Sequence, residues 1–219
     1  MHPAAAAVFG ERLSVAEQYA EWLAAAGVER GLIGPREVDR LWDRHLLNCA
    51  VVSDLVPAGA RVVDVGSGAG LPGLAMAIRR PDLTVDLVES LQRRTEFLTE
   101  VAAALGLSDQ VRVVRGRAED RAVVEQVGRS EWVTARAVAP LERLVRWCLP
   151  LLAGGGTLLA IKGDRAQAEL DESRLAIRRL GGVDPEVVTC GAGELDSPTT
   201  VVVVKQKSTK GQSTREVVG

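Results

Sequence analysis

Apolar positions follow two different rhythms along this chain. Through residues 1–57 they recur at near-helical spacing. Leu13, Ala16, Ala20, Leu23 and Val28 form one stripe, and Val38, Leu41, Trp42, His45, Leu46, Cys49, Val52 and Leu55 form a second. Gly27 is expected to stop the first helical segment, and Asp54 and Pro57 the second. From Ala60 onward, short apolar runs alternate with amphipathic ones. Strands are predicted at 61–65, 84–88, 111–114, 132–135, 157–161, 187–190 and 199–205. Helices are predicted at 74–79, 92–105, 121–127, 141–152 and 166–180. This βαβ alternation implies an α/β, Rossmann-like fold: a seven-stranded, mostly parallel sheet with helices on both faces. The last two strands are joined by a Gly- and Pro-containing loop too short for a helix, so they read as a terminal antiparallel hairpin. The expected organisation is an N-terminal helical cap over 1–57, one domain over 58–207, and a polar, disordered tail over 208–219.

Composition narrows the function classes. The 219 residues suit a single domain with a small extension. Net charge is −2, which gives no support to a stand-alone nucleic-acid binder but leaves room for a local basic face. Aromatics are only 3%, which argues against a single-strand binder built on stacking platforms. Arg outnumbers Lys 23 to 4, a bias that suits phosphate contacts but reads better as genomic composition. Cys49, Cys148 and Cys190 are far apart, and His2 and His45 are the only histidines, so no metal site is expected and the thiols read as reduced. The Ala4–Val8 run is too short for a signal-peptide core, and no apolar stretch reaches the roughly 18 residues of a membrane span. A cytoplasmic monomer with no membrane partner is the expectation.

The chemistry starts after the first strand. Gly66, Gly68 and Gly70 follow Val62–Val65, alternating with Ser67 and Ala69. Glycines at a strand's carboxyl end allow tight turning and close approach of a ligand to the backbone. The spacing fits two fingerprints: Gly66-x-Gly68-x-Gly70 is the S-adenosylmethionine loop, whereas Gly68, Gly70 and Gly73 also satisfy the dinucleotide pattern. Asp64, two residues before the first glycine, is placed to organise the loop and a ligand ammonium. Pro72 marks a helix start. Glu89, at the end of the second strand, is placed to accept from both ribose hydroxyls, a role common to both ligand classes. A dehydrogenase needs a further substrate domain, and no length remains for one. Gly116-Arg117-Ala118-Glu119-Asp120 after the third strand reads either as an adenine-contacting turn or as an ordinary helix cap.

Six segments together resemble the bacterial small-subunit ribosomal RNA methyltransferase G family, also called glucose-inhibited division protein B. They are RLWDRHLLNCA (40–50), VVDVGSGAGLPGLAMAI (62–78), VESLQRRTEFL (88–98), GRAED (116–120), TARAVAPLERLVRWCLPLL (134–152) and LLAIKG (158–163). The resemblance implies a class I methyltransferase fold and methyl transfer from S-adenosylmethionine to ring nitrogen 7 of a guanine in 16S ribosomal RNA, naked or in an assembling small subunit. The near-neutral charge favours the structured particle. By position, Gly66 and Leu71 would contact the cofactor, Ala118 and Glu119 would hold its adenine side, and Arg136 would reach cofactor or substrate. Arg44, His45 and Lys162 would face the RNA. One departure is Ser197-Pro198-Thr199-Thr200, where many members carry an Arg before the final strand.

Nitrogen 7 has a free lone pair and no proton to remove, so alignment and dipoles can carry catalysis without a strong base. Arg136 and Lys162 are the catalytic candidates. Each basic residue also has a structural reading. His45 reads equally as a half-buried helix histidine, and Arg44 as a partner of Asp43. Lys162 at a strand end reads as functional. Arg112, Arg115 and Arg117 read as projecting to one side, Arg112 as a solvated edge residue and Arg117 as an RNA contact. Leu144, Trp147 and Leu151 read as core. A small-molecule methyltransferase and a nicotinamide-binding or non-catalytic module are the competing readings.

Overall fold

A computed structural model describes residues 2–136 and 139–208. Seven strands form one sheet: β1 (Arg61–Val65), β2 (Thr84–Glu89), β3 (Val111–Arg115), β4 (Ser130–Arg136), β5 (Leu152–Lys162), β6 (Gly182–Cys190) and β7 (Thr199–Gln206), in the order β3-β2-β1-β4-β5-β7-β6. The pairs among β1 to β5 are parallel, and β7 runs antiparallel to both β5 and β6. The chain reverses its strand order at β1 and β4. In such sheets the loops at the carboxyl ends diverge there and open a crevice.

Period-two alternation distributes the strand residues between two apolar layers. Val62, Val85 and Leu87 join a layer with the N-terminal helices, α4 (Gly73–Arg79) and α5 (Gln92–Ala104). Val63, Val65, Val88, Val133 and Ala135 join the opposite layer with α6 (Arg121–Val127), α7 (Leu141–Cys148) and α8 (Ala166–Arg179). Both faces are therefore covered, as continuous Val-rich strands require. The class I architecture expected from sequence is present, with strands β4, β5 and β6 longer than the apolar runs alone indicate.

The N-terminal segment comprises α1 (Ala5–Phe9), α2 (Leu13–Trp22), α3 (Leu47–Ala50) and intervening tight and wide turns. Its Phe9, Tyr19, Leu23, Leu46 and Cys49 share one buried cluster with α4 and α5. Gly27 does not end the first helical stretch. It sits inside a wide turn over Leu23–Gly27, and the helix continues to Glu29. Gly31, with φ +66°, is the turning residue, since its conformation is the one that disfavours a side chain. Arg112 and Arg115 do not share a side: three residues apart on a strand, they project from opposite faces. Arg112 grips Asp86 with two hydrogen bonds of 2.6 and 3.0 Å, and Arg61 binds the same carboxylate. Among the described residues no helix is long and apolar enough to cross a membrane. The expected disordered tail lies, apart from Ser208, outside the described residues.

Candidate functional site

The loop after β1 is organised almost wholly by its own backbone and two carboxylates. Gly66, Gly68 and Gly70 all have positive φ, at +71°, +58° and +100°. The N–H groups of Gly66 and Ser67 donate to the Val88 carbonyl at 2.8 and 3.2 Å, which pins the loop to β2. Asp64 is completely buried; its Oδ2 accepts the Gly73 N–H at 3.0 Å and so fixes the start of α4. A Cβ at Gly73 would sit 2.8 Å from that oxygen and collide with Leu87, so this glycine serves helix-to-strand packing. Asp64 Oδ1 is buried and has no partner. Burial pushes its carboxyl up to about 7, against the opposing pull of the Gly73 N–H.

Glu89 is the second organiser. It is 3% exposed, and its Oε2 accepts the Gly68 N–H at 3.0 Å while Oε1 accepts the Leu91 N–H at 2.9 Å. From the far side of the loop, the buried Tyr19 hydroxyl donates to the Ala69 carbonyl at 2.9 Å. The N-terminal segment thus supports the loop directly.

In front of the loop lies a cavity of about 240 Å³, lined by Gly66, Glu89, Ala118 and Glu119 together with Arg117 and Trp147. Four of the residues expected at a cofactor site therefore converge. The others are placed differently. Gly68 is half-buried with its N–H committed to Glu89. Asp64 and Leu71 are buried behind the loop and do not line the cavity. Arg117, expected among the RNA contacts, is exposed on the cavity's rim instead. Trp147, expected in the core, is half-buried and faces the cavity. Leu144 and Leu151 are core as read, joined by Cys148. The stripe they make left Trp147 at its edge, and only that offset marked it.

A broader cleft of about 1360 Å³ opens beyond β4 and β5, lined by Arg44, His45, Arg136 and Lys162 among others. Arg136 joins its walls. From the end of β4 its Nη1 donates to the Arg44 carbonyl at 3.1 Å and meets His45 Nδ1 at 2.9 Å. The other ring nitrogen, Nε2, lies 3.1 Å from Glu37 Oε2. Only a neutral imidazole with its proton on Nε2 satisfies both contacts, because Arg136 is a donor. Burial first, and then Arg136, hold the His45 pKa below its ordinary value, in line with that state. Arg44 itself is exposed; Asp43 pairs with His2 rather than with it.

Lys162 is less free than its strand-end position suggests. Its side chain is 7% exposed, and Nζ donates to the Ala139 carbonyl and Glu169 Oε2, both at 2.9 Å. Glu169 also accepts the Leu141 N–H at 3.0 Å. The ammonium therefore ties β5 to the starts of α7 and α8. Acidic residues Glu37, Asp43, Asp164, Glu169, Glu172 and Asp196 offset the cleft's Arg and Lys side chains. Ser197-Pro198-Thr199-Thr200 forms part of the same wall, and Thr199 Oγ1 donates to the Asn48 carbonyl at 2.8 Å. The Arg absent there is thus absent from the cleft. Among the described residues no His, Cys, Asp and Glu cluster is arranged to hold a metal ion.

A sequence model of the family described as "rRNA small subunit methyltransferase G" matches residues 12–197. A relative from Mycobacterium marinum, named ribosomal RNA small subunit methyltransferase G, is 57% identical over 97% of this chain and 92% of its own length. Among solved structures, a protein described as "a predicted O-methyltransferase" from Agrobacterium tumefaciens superposes with a TM-score of 0.59 at 21% identity, covering 74% of this chain and 81% of its own. One described as "a putative s-adenosyl-l-methionine-dependent methyltransferase" from Methanococcus maripaludis gives 0.60 at 12% identity, covering 81% and 94%. At those identities the two structures speak to the fold alone.

Proposed function

The chain belongs to the rRNA small subunit methyltransferase G family, and on that premise we propose that it transfers a methyl group from S-adenosylmethionine to ring nitrogen 7 of a guanine in 16S ribosomal RNA. The observation that carries the reading is the cavity beside the glycine loop. It has a side-chain-free wall at Gly66, a buried carboxylate at Glu89 and a small residue at Ala118. These features suit a nucleoside: Glu89 accepts from ribose hydroxyls, and Ala118 with Glu119 borders the adenine. Asp64 and Leu71 act from behind, by holding the loop. Bound there, S-adenosylmethionine supplies a methyl group activated by its sulfonium.

The rest of the work falls to the cleft. Arg136, held by the Arg44 carbonyl and neutral His45, stands between the loop and the cleft and fits the cofactor's amino-acid end or the target nucleotide. Guanine N7 offers a lone pair and no N–H, so no side chain has to take a proton. That suits a cleft whose two histidines, His2 and His45, are each already engaged on both nitrogens. Lys162 contributes by fixing the wall. Arg44, exposed on the cleft wall as Arg40 and Arg165 are, is available to an RNA phosphate. The near balance of acids and bases in the cleft suits a splayed nucleotide better than a long stretch of backbone.

Nucleoside mass spectrometry of 16S RNA tests the reading. Cells lacking the gene should lose one 7-methylguanosine, restored by a plasmid copy; an unchanged content would overturn the assignment.

A further inference from the structure

The cofactor reading of the small cavity leaves one of its walls unexplained. Seven aromatic side chains are present in the whole chain. Six of them, Phe9, Tyr19, Trp22, Trp42, Phe97 and Trp132, lie in or against the apolar layer on the N-terminal side of the sheet. Trp147 stands alone on the opposite layer and is only half-buried there. The fully buried Leu144, Cys148 and Leu151 already seal that side of α7. A core role alone therefore does not call for an indole at 147. Its exposed part meets the cavity that also contains Glu89, Ala118 and Glu119. The Arg143 guanidinium lies 6.0 Å over the ring, which fixes the indole's attitude on the helix surface.

We propose that Trp147 is a cofactor-contacting residue that packs its indole against the adenine base and so sets the preference for an adenosine-bearing donor. The chemistry is that of base–aromatic stacking, where polarisable ring surfaces meet with little conformational loss. The proposal rests on the cofactor reading of this cavity.

The test uses the full chain and S-adenosylhomocysteine as probe, followed by calorimetry and by tryptophan emission. Trp147→Leu should weaken S-adenosylhomocysteine binding about tenfold, the size of a lost base–aromatic stack, and weaken adenosine binding by a similar factor. Trp147→Phe keeps a ring there and should stay within about threefold. S-adenosylhomocysteine should quench emission of the unaltered protein and leave that of Trp147→Phe nearly unchanged, because no other tryptophan lines the cavity. A folded Trp147→Leu that binds S-adenosylhomocysteine as tightly as the unaltered protein overturns the stacking role and leaves the cofactor reading standing. Failure of the unaltered protein to bind S-adenosylhomocysteine overturns both.

Discussion

The cavity and the cleft open from the same edge of the sheet but are built in opposite ways. The cavity's two carboxylate ties span short distances in the chain. Asp64 holds Gly73 nine residues on, and Glu89 holds Gly68 21 residues back. The cavity's loop is held mainly by backbone and carboxylate contacts from one strand-loop-helix unit and the ends of the next two strands, and Trp147 of α7 adds a wall from farther along the chain. The cleft is assembled over long distances. Arg136 meets His45 across 91 residues, and Thr199 meets Asn48 across 151. The comparison separates a locally braced loop cavity from a wall that exists only once the N-terminal segment, β4, β5 and the β6–β7 loop have come together. Arg136, at the end of β4, lines the cleft.

Four substitutions break or sharpen that division. Gly66→Val should have the largest effect. The side chain enters the cavity at a residue with φ +71°, which a β-branched residue adopts poorly. S-adenosylhomocysteine affinity should fall about a hundredfold or more, roughly 3 kcal/mol, with the circular-dichroism spectrum retained. Normal binding would show that the loop does not form the seat.

Asp64→Asn should come next, and it reads out in stability. The buried carboxyl titrates near 7, well above its unfolded value, so the folded state holds the proton more tightly. Stability contributed by the protonated form is therefore complete at low pH and declines as pH rises toward about 7. Denaturant unfolding should show the unaltered protein losing on the order of 2 kcal/mol relative to Asp64→Asn between pH 5 and 8. Parallel profiles would mean that Asp64 is ionised throughout.

Arg136→Gln should fall between the two regions. It should weaken S-adenosylhomocysteine binding and lower kcat/KM for ribosomal RNA, each about tenfold, or roughly 1.4 kcal/mol. An effect confined to one readout would assign Arg136 to one region. Lys162→Met should be smallest. Loss of the tie to Ala139 and Glu169 should cost about 1 kcal/mol of stability, a modest figure because Glu169 is partly solvated. Methyl transfer well below the unfolding temperature should stay within about threefold. A hundredfold loss there would return Lys162 to the chemistry.

The division also explains what was legible in the sequence. The strand–helix alternation and the loop were readable because Val-rich runs, glycines and two acids lie within a few residues of one another. Gly66, Glu89, Ala118 and Glu119 meet around one cavity for the same reason. Leu71 points into the core because its position in the motif says nothing about side-chain direction. Arg117 stands on the cavity's rim, and a basic residue after a strand carries no mark of which crevice it borders. Lys162 looked free because its partners, Ala139 and Glu169, come from different elements. Trp147 was missed because a helical stripe records burial, whereas cavity exposure depends on β2 and β3 as well. Gly27 misled because a wide turn lets a helix continue past a glycine when tertiary packing holds it.

The most direct measurement incubates the purified protein with S-adenosylmethionine carrying an isotopically labelled methyl group and with small ribosomal subunits, then digests the RNA to nucleosides for mass spectrometry. The account predicts label in 7-methylguanosine alone, at a single position of 16S RNA, and none with Gly66→Val. Label on another atom or base, or no transfer to RNA from a protein that binds S-adenosylhomocysteine, would contradict it.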